Sequence, residues 1–314
     1  LTPEQKENFC VAHFSPSSIR KFLENPQGFF KNYVRYEYDE SISPALVEGN
    51  VMHSVLAEYW QSIMDKKPES FDLSEASTRL FDEKFNTESI RTMSWGKTGS
   101  MSKSLSTIDN ALDSYFSELP KIDHVVSVEE RFLTEFEDLD NVEMPIALKG
   151  FTDLIELVGE EYVIRDHKFV ASFTDPTDMA GVAKYEMQAA PYFFLARKRY
   201  GKNPVRMIFD EVKKSKNRDG SPQRQEIVVE YTPKILNRWL EIYKRVVKTL
   251  AGIPLIDPET GVMQFLPNPF AQFGDEAWAD FCEEVDSGKV WTFDNIKEIR
   301  GSKFTRAEEM EALF

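Results

Sequence analysis

The order of helical and strand-like segments predicts an α/β protein with a central mixed β-sheet flanked by helices. Three amphipathic helical segments come first, and a run of strand-like segments follows them. One long helical segment then interrupts the strands, and two further strand-like segments come after it. Helices packed on the faces of a sheet are the usual arrangement for such an order of elements. We also expect an N-terminal helical segment and a C-terminal extension around this core.

The length and hydrophobic content allow a sizeable core. The chain has 314 residues, of which 41% are hydrophobic. We predict a single domain over residues 1–314, with a mainly helical part at 1–120 and a sheet with helices at 121–250. Residues 251–314, rich in proline and acids, form the predicted extension.

Charge and cysteine content limit the class of protein. The net charge of −15 argues against a protein that simply coats a polyanion, although a local basic groove would still hold a nucleic acid strand. The two cysteines, Cys10 and Cys282, fit a reducing compartment and provide no disulfide framework. No apolar run approaches the ~20 residues of a membrane span, and the first residues lack signal-peptide character. We therefore predict a soluble cytoplasmic protein without membrane association.

The helical segments are marked by caps and by the spacing of their apolar residues. Ser15 precedes Pro16 as a helix N-cap, and Asn25-Pro26 is expected to end that helix. An aromatic-rich stretch follows and is expected to pack on the core. Apolar residues at helical spacing then predict five further helices. These helices are at about 47–64, 73–90, 103–118, 177–200 and 233–251.

The strands are marked by β-branched and aromatic residues between turn signals. The last two are expected to form a hairpin across the polar loop at 213–224. The predicted strands are 125–133, 144–157, 161–170, 205–212 and 225–231.

Two neighbouring strands carry the most informative side chains. Asp153 lies on one strand, and Asp166 and Lys168 lie two residues apart on the next. Because side chains alternate along a strand, Asp166 and Lys168 point the same way, and Asp153 joins them if the strands pair across the turn at 158–161. Two carboxylates and an ammonium at one place fit a divalent metal ion with an activated water. Such a metal-activated water can hydrolyse a phosphodiester.

Two helical pairs and one glutamate accompany these strands. His53 follows Gly49 by one helical turn, and we expect the glycine to let the helix approach another backbone closely. Gln188 and Tyr192 share one face of the long helix. In the first strand, alternation allows only one of the adjacent glutamates at 129 and 130 to face the site.

Four motifs stand in order along the chain, and together they resemble the PD-(D/E)XK nuclease superfamily. They are Gly49 to His53, Gly150 to Asp153, Asp166-His167-Lys168, and Gln188 to Tyr192. The match covers about residues 14–250 and looks most like the RecB/AddB-like exonuclease branch, which has phage and CRISPR-associated relatives. The resemblance implies a restriction-endonuclease-like core. It also implies a metal-dependent DNA exonuclease that acts on single-stranded ends in recombination, repair or phage DNA processing.

The resemblance also implies a role for each residue. Asp153 and Asp166 would bind Mg²⁺ or Mn²⁺, with the backbone carbonyl of His167 as a further ligand. Lys168 would orient the attacking water and stabilise charge on the phosphate. His53 would bind the metal or a phosphate, and a histidine ligand would favour manganese. The remaining members are Gln188 and Tyr192, near the scissile phosphate, and Glu129, a secondary metal or water ligand that fits the family's spacing to Phe132.

One family feature is missing from the sequence. Iron–sulfur members of the branch place a cysteine where this chain has Asn25, and three more near the C-terminus, where this chain has Cys282 alone. We therefore expect no iron–sulfur cluster. The attachment of the tail must then depend on packing, and the candidate residues are Phe265, Phe270, Phe273, Trp278 and Phe281.

Two basic segments, 91–103 and 213–224, are candidate DNA contacts in an otherwise acidic chain. Trp95 would stack on an unpaired base. The chain has no phosphate-binding loop, so a helicase would be a separate partner, as would any recombination protein. The candidate DNA-binding residues are Arg91, Trp95, Lys97, Lys103, Lys213, Lys214 and Lys216.

Three alternatives remain open from the sequence. The first is a structure-specific endonuclease of the same fold. The second is a DNA-binding or scaffold protein whose nuclease site is retired, although the intact Asp153, Asp166 and Lys168 argue against it. The third is an unrelated metal hydrolase that uses acids on a sheet.

Overall fold

A computed structural model describes most of the chain up to residue 252. Several predictions concern positions outside this part: Cys10, Arg91, Lys97, the C-terminal extension beyond residue 252, and the aromatic residues proposed to attach it. The described residues are 11, 13–35, 41–87, 92–96, 99–134, 138–139, 142–143, 146–219 and 223–252.

The described residues form seven α-helices. Six of them occur in the predicted order, and the second, Pro26–Phe29, was not predicted. A short π-helix, Phe30–Val34, follows the second of them, and a 3₁₀ turn, Pro68–Ser70, precedes the fourth. The helices are α1 (Pro16–Glu24), α2 (Pro26–Phe29), α3 (Pro44–Met64), α4 (Leu73–Thr87), α5 (Met101–Ser117), α6 (Met179–Tyr200) and α7 (Pro233–Gly252).

The described strands number ten, of which six form one sheet. Four others form two small ladders outside that sheet. The strands are β1 (His13–Phe14), β2 (Ser41–Ile42), β3 (Thr92–Met93), β4 (Val125–Thr134), β5 (Asp138–Leu139), β6 (Val142–Glu143), β7 (Ala147–Val158), β8 (Glu161–Val170), β9 (Arg206–Lys213) and β10 (Arg224–Glu230).

The main sheet is mixed, as predicted. Its order is β1-β7-β8-β9-β10, with β4 also pairing with β7. β7 and β8 form an antiparallel hairpin, β8 and β9 are parallel with α6 as the crossover, and β9 and β10 form a second hairpin. A parallel pair requires such a crossover, which explains the long helix between the two hairpins. The fold is that of an α/β protein with a restriction-endonuclease-like core.

The chain divides into two compact units, each made of separate stretches of sequence. One unit takes its described residues from 1–38, 133–149 and 237–314, and the other from 39–132 and 150–236. The prediction of one domain with divisions near residues 120 and 250 remains a prediction.

The first unit has an aromatic core around β1. Phe14 packs edge-on against Tyr243 of α7, with 6.0 Å between ring centroids, and also contacts Phe29. The N-terminal helix begins as predicted, because Ser15 and Ser18 form a reciprocal capping box. Asn25 ends α1 and caps the N-terminus of α2. Its side chain accepts a 3.1 Å hydrogen bond from the N–H of Gly28. The aromatic stretch therefore packs as expected at Phe29.

The second unit contains a helical layer on one face of its sheet. α3, α4 and α5 enclose an apolar cluster that includes Val51, Leu56 and Leu112, and Leu154 and Val212 extend it onto the strands. α6 covers the opposite face, where the rings of Tyr185 and Phe209 lie 4.4 Å apart. Strand alternation therefore sends successive side chains of β8 and β9 to different helical layers.

Gly49 differs from the sequence-based expectation. A Cβ atom placed on Gly49 would meet no atom of the described residues within 4 Å, so within this part of the chain the helix does not approach another backbone there. The predicted reason for this glycine was wrong, although His53 does follow it one turn later on α3. Among the described residues, no helix combines the length and apolar character needed to cross a membrane.

Candidate metal centre

The site forms where the paired part of β7 and β8 ends. The ladder runs from the turn pair Val158–Glu161 to the pair Leu154–Arg165, and Gly159 allows the tight turn with a φ of +63°. Beyond the ladder, the side chain of Asp153 takes the place of a strand partner. Its Oδ2 accepts a 2.6 Å hydrogen bond from the backbone N–H of His167. Asp153 is therefore held in the gap between the two strands.

On the α6 side of β8, Asp166 and Lys168 lie together. Lys168 Nζ is 2.5 Å from Asp166 Oδ2, and Gln188 of α6 donates a 3.0 Å hydrogen bond to Asp166 Oδ1. The Lys168 side chain is 31% exposed and Asp166 only 9%. The lysine thus has access to solvent while the carboxylate is fixed from two sides.

On the α3 side, two histidines approach Asp153. His53 Nδ1 and His167 Nδ1 each lie 3.3 Å from Asp153 Oδ2. One ligand atom from each of these three residues lies within 4.8 Å of the other two. The His167 imidazole, which the sequence analysis did not assign to the site, approaches Asp153. Alternation accounts for this, because His167 points away from the face of Asp166 and Lys168. Ligation by the His167 backbone carbonyl remains a prediction.

The donor set fits a divalent cation. Carboxylate oxygens suit Mg²⁺ and Mn²⁺, and an imidazole is a better ligand for Mn²⁺ than for Mg²⁺. Asp153, Asp166 and Glu129 bring three acids to one place, against Lys168 as the nearby permanent cation. The residues that would hold the ion are Asp153, Asp166 and His53.

The two central acids have pKa values displaced in opposite directions. Burial alone would raise the pKa of Asp153, but the charge of His53 and the hydrogen bonds from both histidines hold it well below its usual range. Burial raises the pKa of Asp166, and the negative charge of Asp153 adds to this effect against the opposing charge of Lys168. Burial would lower the pKa of His53, but Asp153 raises it. Acids whose pKa values are pushed apart in this way are common at functional sites.

Glu129 lies close enough to interact with these acids. Loss of hydration around its carboxyl, and then the negative charges of Asp153 and Asp166, raise its pKa to about 7 although the side chain is exposed. Its φ of 51° interrupts the regular alternation of β4. The adjacent Glu130 instead accepts hydrogen bonds from Arg199, at 2.9 Å, and from Tyr200. The two glutamates therefore separate, as expected, into one near the site and one bound to α6.

Tyr192 is buried one turn after Gln188. Its ring lies against Gly150, where an added Cβ would be 2.9 Å from both Tyr192 Cε1 and Leu195 Cδ1. This close approach of α6 to β7 requires a glycine at position 150. Tyr192 thus supports the strand that carries Asp153, and its predicted contact near the phosphate remains a prediction.

The candidate DNA-binding residues in the described part of the chain have partners within the protein. Lys214 Nζ lies 3.2 Å from Glu48 Oε2, Lys216 is 3.9 Å from Asp113, and Lys213 bonds Asn217. Trp95 stacks on Phe85, with 6.1 Å between ring centroids, which occupies one face of its indole. Lys103, on α5, also has a partner. DNA contacts by these residues remain predictions.

Two aromatic residues at the site were missed by the sequence analysis. Tyr115 of α5 and Trp60 of α3 are buried and connected by hydrogen bonds to His167. In the sequence both belong to the apolar positions of helices, so their pattern predicts core packing alone. The available signal was that a buried tyrosine hydroxyl and a buried indole N–H each need a hydrogen-bond partner.

An α/β core whose hairpin carries an acid on one strand and an acid-x-lysine on the next defines the restriction-endonuclease-like class. The model of the PD-(D/E)XK nuclease superfamily matches residues 13–286. The chain belongs to this superfamily.

Solved structures show similarity at low identity. A crystal structure from Eubacterium rectale that carries the name "Putative exonuclease" is 14% identical, with a TM-score of 0.45, and the match covers 80% of this chain and 86% of that one. The crystal structure of SSO0001 is 10% identical, with a TM-score of 0.31, over 74% of this chain and 82% of that one. No curated protein matches the chain.

Proposed function

We propose that the protein is a metal-dependent DNA exonuclease of the RecB/AddB-like branch, acting on single-stranded ends with Mg²⁺ or Mn²⁺. The single observation that carries the proposal is the convergence of Asp153, Asp166 and Lys168 at the end of one hairpin in a nuclease of this superfamily. The expected setting is recombination, repair or phage DNA processing in the cytoplasm. The chain's partners would be DNA and a separate helicase or recombination protein.

Each residue at the centre has a chemical task in this proposal. Asp153, Asp166 and His53 would hold the cation, and Gln188 keeps Asp166 in position through its 3.0 Å hydrogen bond. A bound divalent ion would polarise the phosphate and lower the pKa of the attacking water. Lys168 orients that water and stabilises negative charge that develops on the phosphate. Because the Lys168 ammonium lies beside Asp166, we assign it orientation rather than proton removal.

Linear and circular single-stranded DNA distinguish the exonuclease from the endonuclease alternative. We expect end-labelled linear strands to be degraded with Mg²⁺ or Mn²⁺ and to survive with a chelator. Circular strands have no ends and should remain intact. Cutting of the circles would replace the proposal by the endonuclease of the same fold.

Two substitutions test the site itself. Asp166→Ala should abolish degradation, whereas Glu160→Gln, which alters an exposed acid in the turn of the same hairpin, should leave it unchanged. Unchanged metal-dependent cleavage by Asp166→Ala would show that the site is wrong. Absence of cleavage by the unsubstituted protein, on every DNA substrate and with both metals, would favour the retired nuclease.

A further inference from the structure

A chain of polar contacts connects the helical core to Asp153. Trp60 Nε1 lies 3.0 Å from the hydroxyl oxygen of Tyr115, and that oxygen lies 3.0 Å from His167 Nε2. His167 Nδ1 is in turn 3.3 Å from Asp153 Oδ2. The first three residues are buried, with exposed fractions of 2% for Trp60, 0% for Tyr115 and 2% for His167. These contacts therefore run from α3 through α5 to the two strands of the hairpin, and solvent reaches only the last member, Asp153, which is 16% exposed.

The direction of each hydrogen bond follows from the groups involved. An indole N–H is only a donor, so the Tyr115 oxygen accepts from Trp60. The Tyr115 hydroxyl hydrogen is then available to His167 Nε2, which must be the acceptor. A neutral imidazole that accepts at Nε2 carries its proton on Nδ1. That proton lies on the nitrogen that is 3.3 Å from Asp153 Oδ2.

The other imidazole tautomer would be unfavourable at both ends. With the proton on Nε2, two donors would converge on the Tyr115 oxygen, and among the described residues its own hydrogen has no other acceptor. The Nδ1 lone pair would meanwhile face the negative Asp153 Oδ2. Leaving a buried hydroxyl hydrogen without an acceptor is unfavourable, because the group has lost its hydration. Both effects favour the Nδ1–H form.

We propose that Trp60, Tyr115 and the His167 ring form a relay that positions Asp153 for cation binding, and that the His167 ring is not itself a ligand. Asp153 Oδ2 accepts the His167 backbone N–H at 2.6 Å and lies 3.3 Å from Nδ1 of both His167 and His53. This leaves the cation to the other carboxylate oxygen and, at His53, to Nε2. The proposal rests on the proposed metal-dependent function. It removes His167 from the set of three residues whose ligand atoms lie within 4.8 Å.

The tautomer of His167 can be measured in the intact, metal-free protein. The chain has only four histidines, so ¹⁵N labelling of histidine gives a spectrum that a His167→Gln variant assigns by subtraction. We expect a protonated Nδ1 and an unprotonated Nε2, and we expect the Nδ1 proton to remain when Mg²⁺ is added. A protonated Nε2 in the metal-free protein, or loss of the Nδ1 proton on Mg²⁺ addition, would overturn the relay.

A pair of tyrosine variants then tests the link to the cation. Tyr115→Phe removes one hydroxyl from the relay, and Tyr59→Phe removes one from the same aromatic cluster outside it. We expect Tyr115→Phe to increase the Nε2–H form and to weaken Mn²⁺ binding about 10-fold, a common cost of losing an outer-shell partner. Tyr59→Phe should change neither the tautomer of His167 nor the Mn²⁺ affinity. Equal behaviour of the two variants would contradict the proposal.

Neither measurement depends on DNA cleavage. If the tautomer and Mn²⁺ affinity behave as expected but no DNA is cut, the relay stands and the proposed nuclease function fails. If DNA is cut but the wild-type tautomer is Nε2–H, the nuclease function stands and the relay fails. The wild-type spectrum requires no substitution, so the relay is testable even if Tyr115→Phe does not fold.

Discussion

Arg165 and Asp166 are neighbours on β8, yet they belong to charged clusters of opposite kinds. Arg165 lies in an ion-pair row that crosses four strands of the sheet. Asp166 lies in the candidate metal centre on the other face of the same strand. The members of the ion-pair row are Glu156, Arg165, Asp210, Arg224 and Glu226.

In the ion-pair row, the buried charges have partners. Arg165 reaches Glu156 at 2.7 Å, Glu226 at 3.0 Å and Asp210 at 3.1 Å. Arg224 adds a second cation beside Asp210 and Glu226. Burial would raise the pKa of Glu226, but its hydrogen bond and charge pairing with Arg165 lower it. Each acid of this row therefore has an arginine partner.

The metal centre has more acids than nearby cations to match them. Asp166 and Glu129 both have raised pKa values, because loss of hydration and neighbouring negative charge oppose their ionisation. A divalent cation would relieve both effects. Burial of charge alone therefore does not identify a functional site. An acid whose pKa stays raised beside other acids is the informative feature, and it points to a ligand of positive charge.

The largest expected effect is the opposite response of activity and stability to Asp166→Asn. Nuclease activity should fall by about 10³-fold or more, since the cation's charge stabilisation is worth several kcal/mol. The free energy of unfolding of the metal-free protein should instead rise by about 0.5–2 kcal/mol, a typical gain when a strained functional site is relieved. Single-turnover kinetics and urea unfolding measure the two quantities. A large loss of stability would assign Asp166 to a structural cluster like that of Arg165.

In the ion-pair row, Arg165→Met should lower the free energy of unfolding. Removing the central cation leaves buried carboxylates unmatched, which typically costs about 3–5 kcal/mol of unfolding free energy. The matched control is Arg79→Met, which breaks an exposed pair with Glu58 and should cost less than about 1 kcal/mol. Urea unfolding at neutral pH compares the two variants. Similar losses in both would mean that the ion-pair row contributes no more than a surface pair.

The pH dependence of stability should differ between Glu129→Gln and the wild type. The folded pKa of Glu129 is about 7, above the unfolded value of about 4.3, so the folded state binds the proton more tightly. Wild-type stability should therefore fall as pH rises from about 4 to above 7, relative to the variant. The exposure of the side chain reduces the size of this difference. Urea unfolding with a chelator between pH 4 and 8 tests it, and parallel curves would refute the raised pKa.

The smallest expected effect concerns the open space on α3 one turn before His53. Gly49→Ala adds a methyl group that meets no atom of the described residues within 4 Å, so it should stabilise the helix by about 0.5–1 kcal/mol. Gly159→Ala should have the opposite sign, because its φ is +63°. Thermal unfolding distinguishes the two. If DNA occupies the space beside Gly49, nuclease activity will fall in Gly49→Ala although stability rises.

The order of elements was predictable because its signals are local. Ser15 capped a helix as predicted, and the spacing of Val51, Leu56 and their neighbours marked α3. Strand alternation was enough to place Asp166 and Lys168 on one face. These features depend on residues within a few positions of one another, where periodicity and capping chemistry act.

The rest of the site depends on contacts that no local pattern carries. Tyr115 and Trp60 meet His167 from two helices far away in sequence, and their polar atoms cannot be assigned partners without the fold. The positive φ of Glu129 is likewise set by its surroundings, since the residue type does not favour it. Gly49 was assigned a packing reason that only the surrounding space could test.

The end of the β7–β8 ladder at Leu154–Arg165 limits where this hairpin can tolerate insertions and deletions. Insertions in the turn beyond Val158 leave the register intact and should be tolerated. An insertion or deletion of one residue within β8 before Asp166 would exchange the two sets of side chains, turning His167 toward α6 and Asp166 toward the histidine side. Homologous chains should therefore vary in the size of this hairpin's tip while keeping the residue count along the strand that leads to the acid.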